Sequence, residues 1–261
     1  MQQRGTGVLG SPGQFASSDT PLAPSVPRGT RIYAVGDIHG RLDLLDALLD
    51  RIQYDAEDAP SLLKSLVFLG DYIDRGPESA RVIERLIHGL PPMFSAVCLR
   101  GNHEDVMLRF LEDVRAAPGW LTYGGRATLV SYGVDAPPPD ASQTRLMMAQ
   151  RDLNQALPDH HRAFLSGLRC HVSFGDYYFV HAGVRPGVPL DRQRDTDRLW
   201  IRQEFLNSRA DLGKVIVHGH TVAAEPESYP NRIGIDTGAY ATNRLTALVL
   251  EGTERRFLCT A

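Results

Sequence analysis

Five short clusters of polar residues and glycine constrain the fold of this chain more than any other feature. In order along the chain they are Gly36-Asp37-Ile38-His39-Gly40, Gly70-Asp71-Tyr72-Ile73-Asp74-Arg75-Gly76, Gly101-Asn102-His103-Glu104, His181-Ala182-Gly183 and Gly219-His220-Thr221. The first, second, third and fifth clusters follow an apolar, strand-like run, and the fourth ends one. Glycine lets the backbone turn sharply after a strand, so several such loops can converge on one point. The clusters therefore predict a sheet whose strand ends meet at a common site.

The segments that carry the first three clusters alternate between strand-like and helix-like patterns. Apolar runs at 31–35, 65–69 and 96–99 predict buried strands. Apolar residues recur at helical spacing over 42–52 and 78–88, and a third helix is expected after the third strand. This alternation predicts parallel β-α-β units, in which active sites lie at the carboxyl ends of the strands. The first three clusters occupy those ends.

Residues 116–170 have a different pattern, in which turn signals separate short helical pieces. Gly124-Gly125, Gly133 and Pro137-Pro138-Pro139 mark these turns. We interpret the segment as a small helical insertion that borders the cleft. Strands predominate after it and imply a second sheet, with predicted strands at 177–180, 215–217, 232–235, 246–250 and 256–259.

Composition indicates how the chain is divided into domains and which broad class of protein it belongs to. Residues 1–29 are rich in Gly, Ser, Pro, Thr and Gln and lack periodicity, so we predict a disordered leader before one domain at 30–261. The net charge of −3 gives no reason to expect nucleic-acid or membrane binding, and no apolar run approaches the ~20 residues of a membrane span. The three cysteines are odd in number and lack metal-type spacing, so reduced thiols in a cytoplasmic protein are expected.

The residue types in the clusters suit divalent metal ions. Asp37 and His39 are two positions apart, so both face the same side of an extended backbone. A carboxylate beside an imidazole suits borderline metals such as manganese, iron or zinc. Asp71, at the next strand end, is a carboxylate able to bridge two metals. The remaining candidates for a second site are Asn102, His181 and His220.

With these clusters in view, the chain resembles the metallophosphoesterases over residues 31–250, and specifically their phosphoprotein phosphatase branch. That branch includes serine/threonine phosphatases, small bacterial and phage phosphatases, and symmetrical diadenosine tetraphosphatases. Asp74-Arg75-Gly76 after Asp71 is the branch-specific element. The resemblance implies an α/β fold that is a four-layer αββα sandwich, with two mixed β-sheets flanked by helices.

The resemblance also implies the ligand set and the reaction. One metal would be held by Asp37, His39 and Asp71, and the other by Asp71, Asn102, His181 and His220. The implied cofactors are two divalent ions, with manganese expected and iron or zinc as alternatives. A metal-bridging hydroxide would attack phosphorus directly, without a phospho-enzyme.

Further residues would bind phosphate and protonate the leaving group. Arg75, Arg100 and Arg202 are the candidates for binding phosphate oxygens through the planar guanidinium fork. By the resemblance, His103 would protonate the leaving group and Asp74 would orient it, and Arg75 and Arg202 also belong to the predicted catalytic set.

The leading functional hypothesis is hydrolysis of phosphoserine and phosphothreonine in proteins by a monomer that acts on phosphorylated proteins or peptides. A symmetrical diadenosine tetraphosphate hydrolase or a polyphosphatase is the alternative, since either would use the same metal site. The intact ligand positions argue against a catalytically silent scaffold.

Large eukaryotic phosphatases carry a tyrosine-bearing C-terminal loop over the site. In this chain Tyr240 is the nearest candidate to replace that tyrosine. The other histidines are expected to be surface or structural residues, with His88 interacting with a helix dipole. His218 could face the same side as His220, but the resemblance assigns the ligand to His220.

Overall fold

The computed structural model describes residues 23–260. Most of the predicted leader therefore lies outside the described residues, but its last part does not. Residues 23–29 lie against the domain: Val26 is buried, and its N–H donates to the Gly252 carbonyl at 3.0 Å. The Asp176 N–H donates to the Ser25 carbonyl at 2.9 Å. The predicted leader was thus drawn too long at its C-terminal end, because these residues have backbone partners and a buried apolar side chain.

Ten strands form two five-stranded sheets in the described part of the chain. They are β1 (Thr30–Val35), β2 (Leu63–Phe68), β3 (Phe94–Cys98), β4 (His171–Phe174), β5 (Tyr177–Val180), β6 (Val215–His218), β7 (Glu227–Ser228), β8 (Arg232–Gly234), β9 (Thr246–Glu251) and β10 (Glu254–Cys259). The strand orders are β10-β9-β1-β2-β3 and β4-β5-β6-β8-β7.

Both sheets are mixed. In the first, β1, β2 and β3 are parallel, and β9 and β10 are antiparallel to their neighbours. In the second, β5, β6 and β8 are parallel and the two edge strands are antiparallel. The parallel β-α-β units are confirmed. The assignment of all late strands to a second sheet was wrong for β9 and β10, because β9 pairs with β1 in register Val35↔Ala247.

Helices cover the outer faces of the two sheets. They are α1 (Leu42–Ala56), α2 (Ser79–His88), α3 (Asn102–Glu112), α4 (Ala117–Trp120), α5 (Arg126–Ser131), α6 (Gln143–Ala156), α7 (Asp159–Ser166), α8 (Asp195–Trp200), α9 (Gln203–Leu206) and α10 (Ala239–Thr242). Helices α4 to α7 fall within the predicted insertion at 116–170. None of the helices within residues 23–260 combines the length and apolar character needed to cross a membrane.

Alternation along the strands builds the layers. In β1, Ile32 and Ala34 face the second sheet, where they join a core that includes Phe179 and Val217. The intervening residues of β1 face the helices and pack in a second core with side chains of α1 and α2. On the far side, the outward residues of β5 and β6 pack against Phe205 of α9. These three cores hold together a four-layer αββα sandwich, so the predicted fold class is confirmed.

The loops after β1 and β2 touch through their backbones. The Gly76 N–H donates to the His39 carbonyl at 3.0 Å, and the Gly40 N–H donates to the Tyr72 carbonyl at 2.8 Å. A Cβ atom on Gly76 would lie 2.2 Å from the His39 oxygen. Only glycine allows this approach, which brings the first two polar clusters together.

The core between the sheets should dominate the stability of the fold. Phe179 is fully buried there, so Phe179→Ala should cost about 3–5 kcal/mol of unfolding free energy through lost burial and a residual cavity. Phe257, on the edge strand β10, is 38% exposed, and Phe257→Ala should cost about 0.5 kcal/mol or less. Denaturant unfolding of both variants measures the difference, and equal losses would contradict this account of the core.

Candidate active site

The polar clusters meet at one edge of the two sheets, and all six predicted metal ligands lie there in buried positions. Each follows a strand: Asp37 and His39 follow β1, Asp71 follows β2, Asn102 begins α3 after β3, His181 follows β5 and His220 follows β6. The carboxyl ends of the parallel strands therefore position these side chains, as the sequence predicts.

Asp71 stands between two groups of ligand atoms. Its Oδ2 lies 3.6 Å from His39 Nε2, and its Oδ1 lies 3.5 Å from His181 Nε2. His181 Nε2 is in turn 2.9 Å from Asn102 Oδ1 and 3.2 Å from His220 Nδ1. The two groups, His39-Asp71-His103 and Asp71-His181-His220, each have ligand atoms within 4.8 Å of one another. Asp71 alone belongs to both, as a bridging carboxylate would.

Asp37 has a different environment. Both of its carboxylate oxygens accept the His220 backbone N–H, at 3.2 and 3.0 Å. Burial raises the pKa of Asp37 well above its usual value, and the nearby charges of Asp236 and Asp71 raise it further. Three carboxylates lie crowded in one buried place, and Asp37 has no cationic partner among residues 23–260. Such an environment is stabilised by a divalent cation.

The histidines are in the protonation state that a metal requires. Burial lowers the pKa of His39 to about 3 and that of His220 to about 2, and it also lowers the pKa of His181. All three imidazoles are therefore neutral at pH 7 and available as ligands. His220 Nε2 is buried and has no hydrogen-bond partner within the described part of the chain. The donor set of carboxylates, imidazoles and an amide oxygen fits a pair of borderline divalent metals.

The loops that carry these residues have an unusual backbone conformation. Six non-glycine residues in the described chain have positive φ, and five belong to the clusters: His39, Asp71, Asp74, Arg75 and His220. Such conformations cost about 1–3 kcal/mol each and concentrate at functional sites. The surrounding contacts must therefore hold them in place.

Glu104 provides much of that support, and the sequence reasoning gave it no role. Its fully buried carboxylate accepts the N–H groups of Gly101 and Asp71 at 2.9 Å and of Tyr72 at 2.8 Å. It thus ties the loop after β2 to the start of α3. Its place in the third cluster, at the third position of a helix, was the signal that could have revealed it.

His103 and Asp74 form the expected pair. His103 Nδ1 lies 2.6 Å from Asp74 Oδ2. Burial lowers the pKa of His103, but the charges of Asp71 and Asp74 outweigh burial and raise it to about 9. His103 can therefore carry a proton at neutral pH.

Two residues of the insertion also hold Asp74. Trp120 Nε1 donates to Asp74 Oδ2 at 2.9 Å, and Thr128 Oγ1 donates to Oδ1 at 2.6 Å. The Asp74 N–H donates to Thr128 Oγ1 as well. Sequence reasoning missed both residues, because nothing in the chain pattern relates them to Asp74.

Two of the three predicted phosphate-binding arginines line the cavity. It has a volume of about 230 Å³ and is lined by His39, Asp71, Arg75, Asn102, His103, Tyr123, Trp200, Arg202, His220 and Asp236. The Arg75 guanidinium lies over the Tyr240 ring, 4.3 Å from its centroid, and that ring also meets His39 edge-on. Arg202 donates to Thr221 Oγ1 at 3.2 Å.

Arg100 does not line this cavity, contrary to prediction. Its guanidinium donates to the Ser166 carbonyl at the C-terminal end of α7, at 3.2 Å. Its position before the third cluster suggested the cleft, but the packing of the insertion gives it a different partner. His218 also lies outside the ligand groups, with Nδ1 near the Gly219 carbonyl and Nε2 near the Arg232 guanidinium.

Comparison with known proteins agrees with this geometry. The family model described as "Calcineurin-like phosphoesterase" matches residues 30–245. The chain belongs to this family. It is a hydrolase of the metallophosphoesterase type, and members of this family use divalent metal ions.

Similar proteins include two kinds of enzyme by designation. A bis(5'-nucleosyl)-tetraphosphatase PrpE [asymmetrical] from Oceanobacillus iheyensis is 25% identical, covering 83% of this chain and 87% of its own length. A second PrpE, from Anoxybacillus flavithermus, is 27% identical, and the match covers 82% of this chain and 88% of that protein. Serine/threonine-protein phosphatase 1 of Salmonella typhimurium is 28% identical, and the match covers 82% of this chain and 89% of that protein.

Solved structures share the fold. A protein provisionally described as a diadenosine tetraphosphatase superposes with a TM-score of 0.61 at 22% identity, covering 91% of this chain and 98% of its own. A cold-active protein tyrosine phosphatase superposes with a TM-score of 0.59 at 16% identity, and the match covers 90% of this chain and 81% of that protein.

The shared position of Asp71 gives a test of the metal centre. Asp71→Asn removes the charge common to both ligand groups, so we expect the purified variant to lose at least one metal per chain and most of its activity. Asp74→Asn is the matched control, since Asp74 is equally buried in the same loop but lies outside both ligand groups. It should keep its metals. Elemental analysis of both variants distinguishes the outcomes, and full metal content in Asp71→Asn would reject the bridging role.

Proposed function

We propose that this protein is a metal-dependent phosphomonoesterase whose substrates are phosphoserine and phosphothreonine in proteins or peptides. The observation that supports this most directly is the His103–Asp74 pair. His103 belongs to one of the two ligand groups and lines a cavity of about 230 Å³ together with Arg75 and Arg202. This arrangement suits one phosphoryl group whose leaving oxygen needs a proton.

The metal ligands in this proposal are Asp37, His39, Asp71, Asn102, His181 and His220. Bound divalent ions, manganese first among the candidates, would supply a hydroxide at neutral pH and neutralise phosphoryl oxygens.

The chain's own side chains would bind and orient the phosphoryl group. Arg75 and Arg202 reach the cavity from different loops and bring two guanidinium groups to it. Guanidinium groups form charge-assisted hydrogen bonds to phosphate oxygens, and these strengthen as charge develops in the transition state. The Tyr240 ring below Arg75 limits where that guanidinium can move.

His103 would protonate the leaving oxygen. Its Nδ1 faces Asp74, and its Nε2 lies 3.8 Å from Asp71 Oδ2, on the side of the ligand groups. Asp74 is held by Trp120 and Thr128, so it fixes the orientation of the imidazole. With Nδ1–H donating to Asp74, a proton on Nε2 would face the cavity.

Substitution of His103 tests this role through the leaving group. The alkoxide of serine is strongly basic and needs the proton in the transition state, whereas nitrophenolate can leave without it. His103→Asn should slow phosphoserine hydrolysis by ~10²–10⁴-fold and nitrophenyl phosphate hydrolysis far less. Steady-state kinetics on both substrates, with metal content measured in parallel, gives the comparison.

Asp74→Asn is the graded control for this experiment. It should show the same pattern more weakly, because the imidazole remains but is less well oriented. Equal losses on the two substrates, with metals retained in His103→Asn, would mean that His103 stabilises bound phosphate and is not the acid.

A second candidate function is hydrolysis of dinucleotide polyphosphates. Two exposed aromatic rings line the cavity, Tyr123 at 64% exposure and Trp200 at 42%. Exposed aromatic rings stack on nucleic-acid bases, and two of the relatives are designated dinucleotide tetraphosphatases. The designation asymmetrical differs from the symmetrical cleavage considered from the sequence.

A substrate panel with added manganese separates the two functions. We expect phosphopeptides to be hydrolysed at least as efficiently as diadenosine tetraphosphate, and Trp200→Ala to leave nitrophenyl phosphate hydrolysis nearly unchanged. A hundredfold preference for the dinucleotide in kcat/KM, about 2.7 kcal/mol, that disappears in Trp200→Ala would favour the second function. The products then define the cleavage: two ADP if symmetrical, ATP and AMP if asymmetrical.

The remaining features of the proposal concern partners and location. The pattern of few cysteines without metal-type spacing supports a reducing, cytoplasmic compartment. We extend the proposal to a monomer that acts on phosphorylated proteins or peptides, without nucleic-acid or membrane partners.

A further inference from the structure

A second group of metal-ligating side chains lies outside the active site. Glu84 on α2 meets His160 and His161 at the start of α7. One carboxylate oxygen, Glu84 Oε2, is 2.9 Å from His160 Nε2 and 2.9 Å from His161 Nε2. The ligand atoms of the three residues all lie within 4.8 Å of one another. None of the three lines the catalytic cavity.

His161 is oriented as metal-binding histidines are. It is buried, and its Nδ1 is 2.9 Å from the Tyr132 hydroxyl, which leaves Nε2 directed at Glu84. Histidine ligands of metals commonly use their second ring nitrogen in this way, which fixes the tautomer and the ring orientation. Burial and the charge of Glu84 raise the pKa of Tyr132, so its hydroxyl stays neutral and can accept the Nδ1–H.

A third imidazole is close by. His88 lies one helical turn after Glu84 on α2, and its ring centroid is 5.7 Å from that of His160. Residues four positions apart on a helix share one face, so α2 presents a carboxylate and an imidazole toward the same pair of histidines.

The surrounding charges permit a cation here. The two arginines nearest on α2 have their own carboxylate partners: Arg85 pairs with Asp46 at 2.7 Å, and Arg81 pairs with Glu78. Among residues 23–260, Glu84 pairs with the two imidazoles, and they lower its pKa to about 2. Glu84 is therefore ionised at neutral pH.

We propose that Glu84, His160 and His161 form a third metal site, selective for zinc or a similar borderline divalent ion, with His88 available as a fourth ligand. Two or three imidazoles and one carboxylate are a donor set that zinc accepts in tetrahedral geometry. Binding would displace the proton on each liganding imidazole nitrogen, and the hydrogen bonds to Glu84 would be replaced by bonds to the ion.

Only small movements are needed. Nitrogen and oxygen ligands around tetrahedral zinc are about 3.3 Å apart, given bonds of about 2.0 Å. The side chains of His160 and Glu84 are 48% and 51% exposed, so they can adjust while buried His161 stays fixed.

The site would link two parts of the chain. Helix α2 follows the loop that carries Asp74 and Arg75, and α7 belongs to the insertion that also supplies Trp120 and Thr128 to Asp74. A bound ion would clamp the insertion onto the catalytic body, and its main effect would be on stability.

Metal counting tests the proposal. Manganese-loaded protein is equilibrated with zinc buffered at micromolar free concentration, and manganese and zinc per chain are then measured together by elemental analysis. His160→Ala should hold one metal fewer than the wild type. His171→Ala is the matched control, since it removes another partly exposed imidazole, one that stacks on Tyr178 away from this group. It should keep the wild-type count.

Thermal unfolding gives a second readout. Zinc at a hundred times its Kd for the site should raise the Tm of the wild type by about 5–10 °C more than that of His160→Ala. Nitrophenyl phosphatase activity in manganese should be unchanged in His160→Ala, because no catalytic group is altered. Exposed Glu84→Gln provides an independent variant with the same expected loss of one metal.

Both experiments compare the wild type with a variant, so the result is a difference in metal count or in Tm shift. Incomplete loading of the catalytic metals would affect all of the proteins equally and leave the difference intact. Equal metal counts and equal zinc-induced Tm shifts in wild type and His160→Ala would overturn the proposal.

Discussion

The burial of several carboxylates at one point is the constraint on which the rest of this structure depends. Asp37, Asp71 and Asp236 lie together with almost no solvent exposure. Burial raises the pKa of Asp37 well above its usual value and that of Asp236 to about 6, and the charge of Asp71 adds to both shifts. A chain keeps such an arrangement only where a cation or a proton relieves it. The neutral imidazoles of His39, His181 and His220 near Asp71 make divalent cations the natural partners.

That electrostatic arrangement requires a backbone held in costly conformations. Asp71, Asp74 and Arg75 all have positive φ within one loop. The Glu104 carboxylate satisfies the N–H groups of Asp71 and Tyr72, and Ser79 and Thr128 accept the N–H of Asp74. The rigid sandwich beneath thus supports strained loops above, and this preorganises the ligands before any metal binds.

Much of the fold and of the metal centre could be predicted from the sequence, because both depend on local patterns. The strand before each cluster is a short apolar run, and the strand end places Asp37, Asp71 and Asn102 at one sheet edge. The assignment of β9 to a second sheet was wrong, since apolar alternation shows that a strand is half-buried but not which neighbour it pairs with. Arg100 lies outside the cavity lining for a related reason: position near a cluster does not determine which partner a long side chain finds.

The sequence by itself determined the residues that gather at the candidate site, the order of the first three strands and their helices, and the family, because each is encoded within a few neighbouring residues. Only the tertiary structure decided how the insertion acts on the site. Trp120 and Thr128 reach Asp74 across 46 and 54 residues, and Glu84 meets His160 across 76. Contacts over such separations arise from the packing of the helices against one core, and no local pattern in a single chain records them.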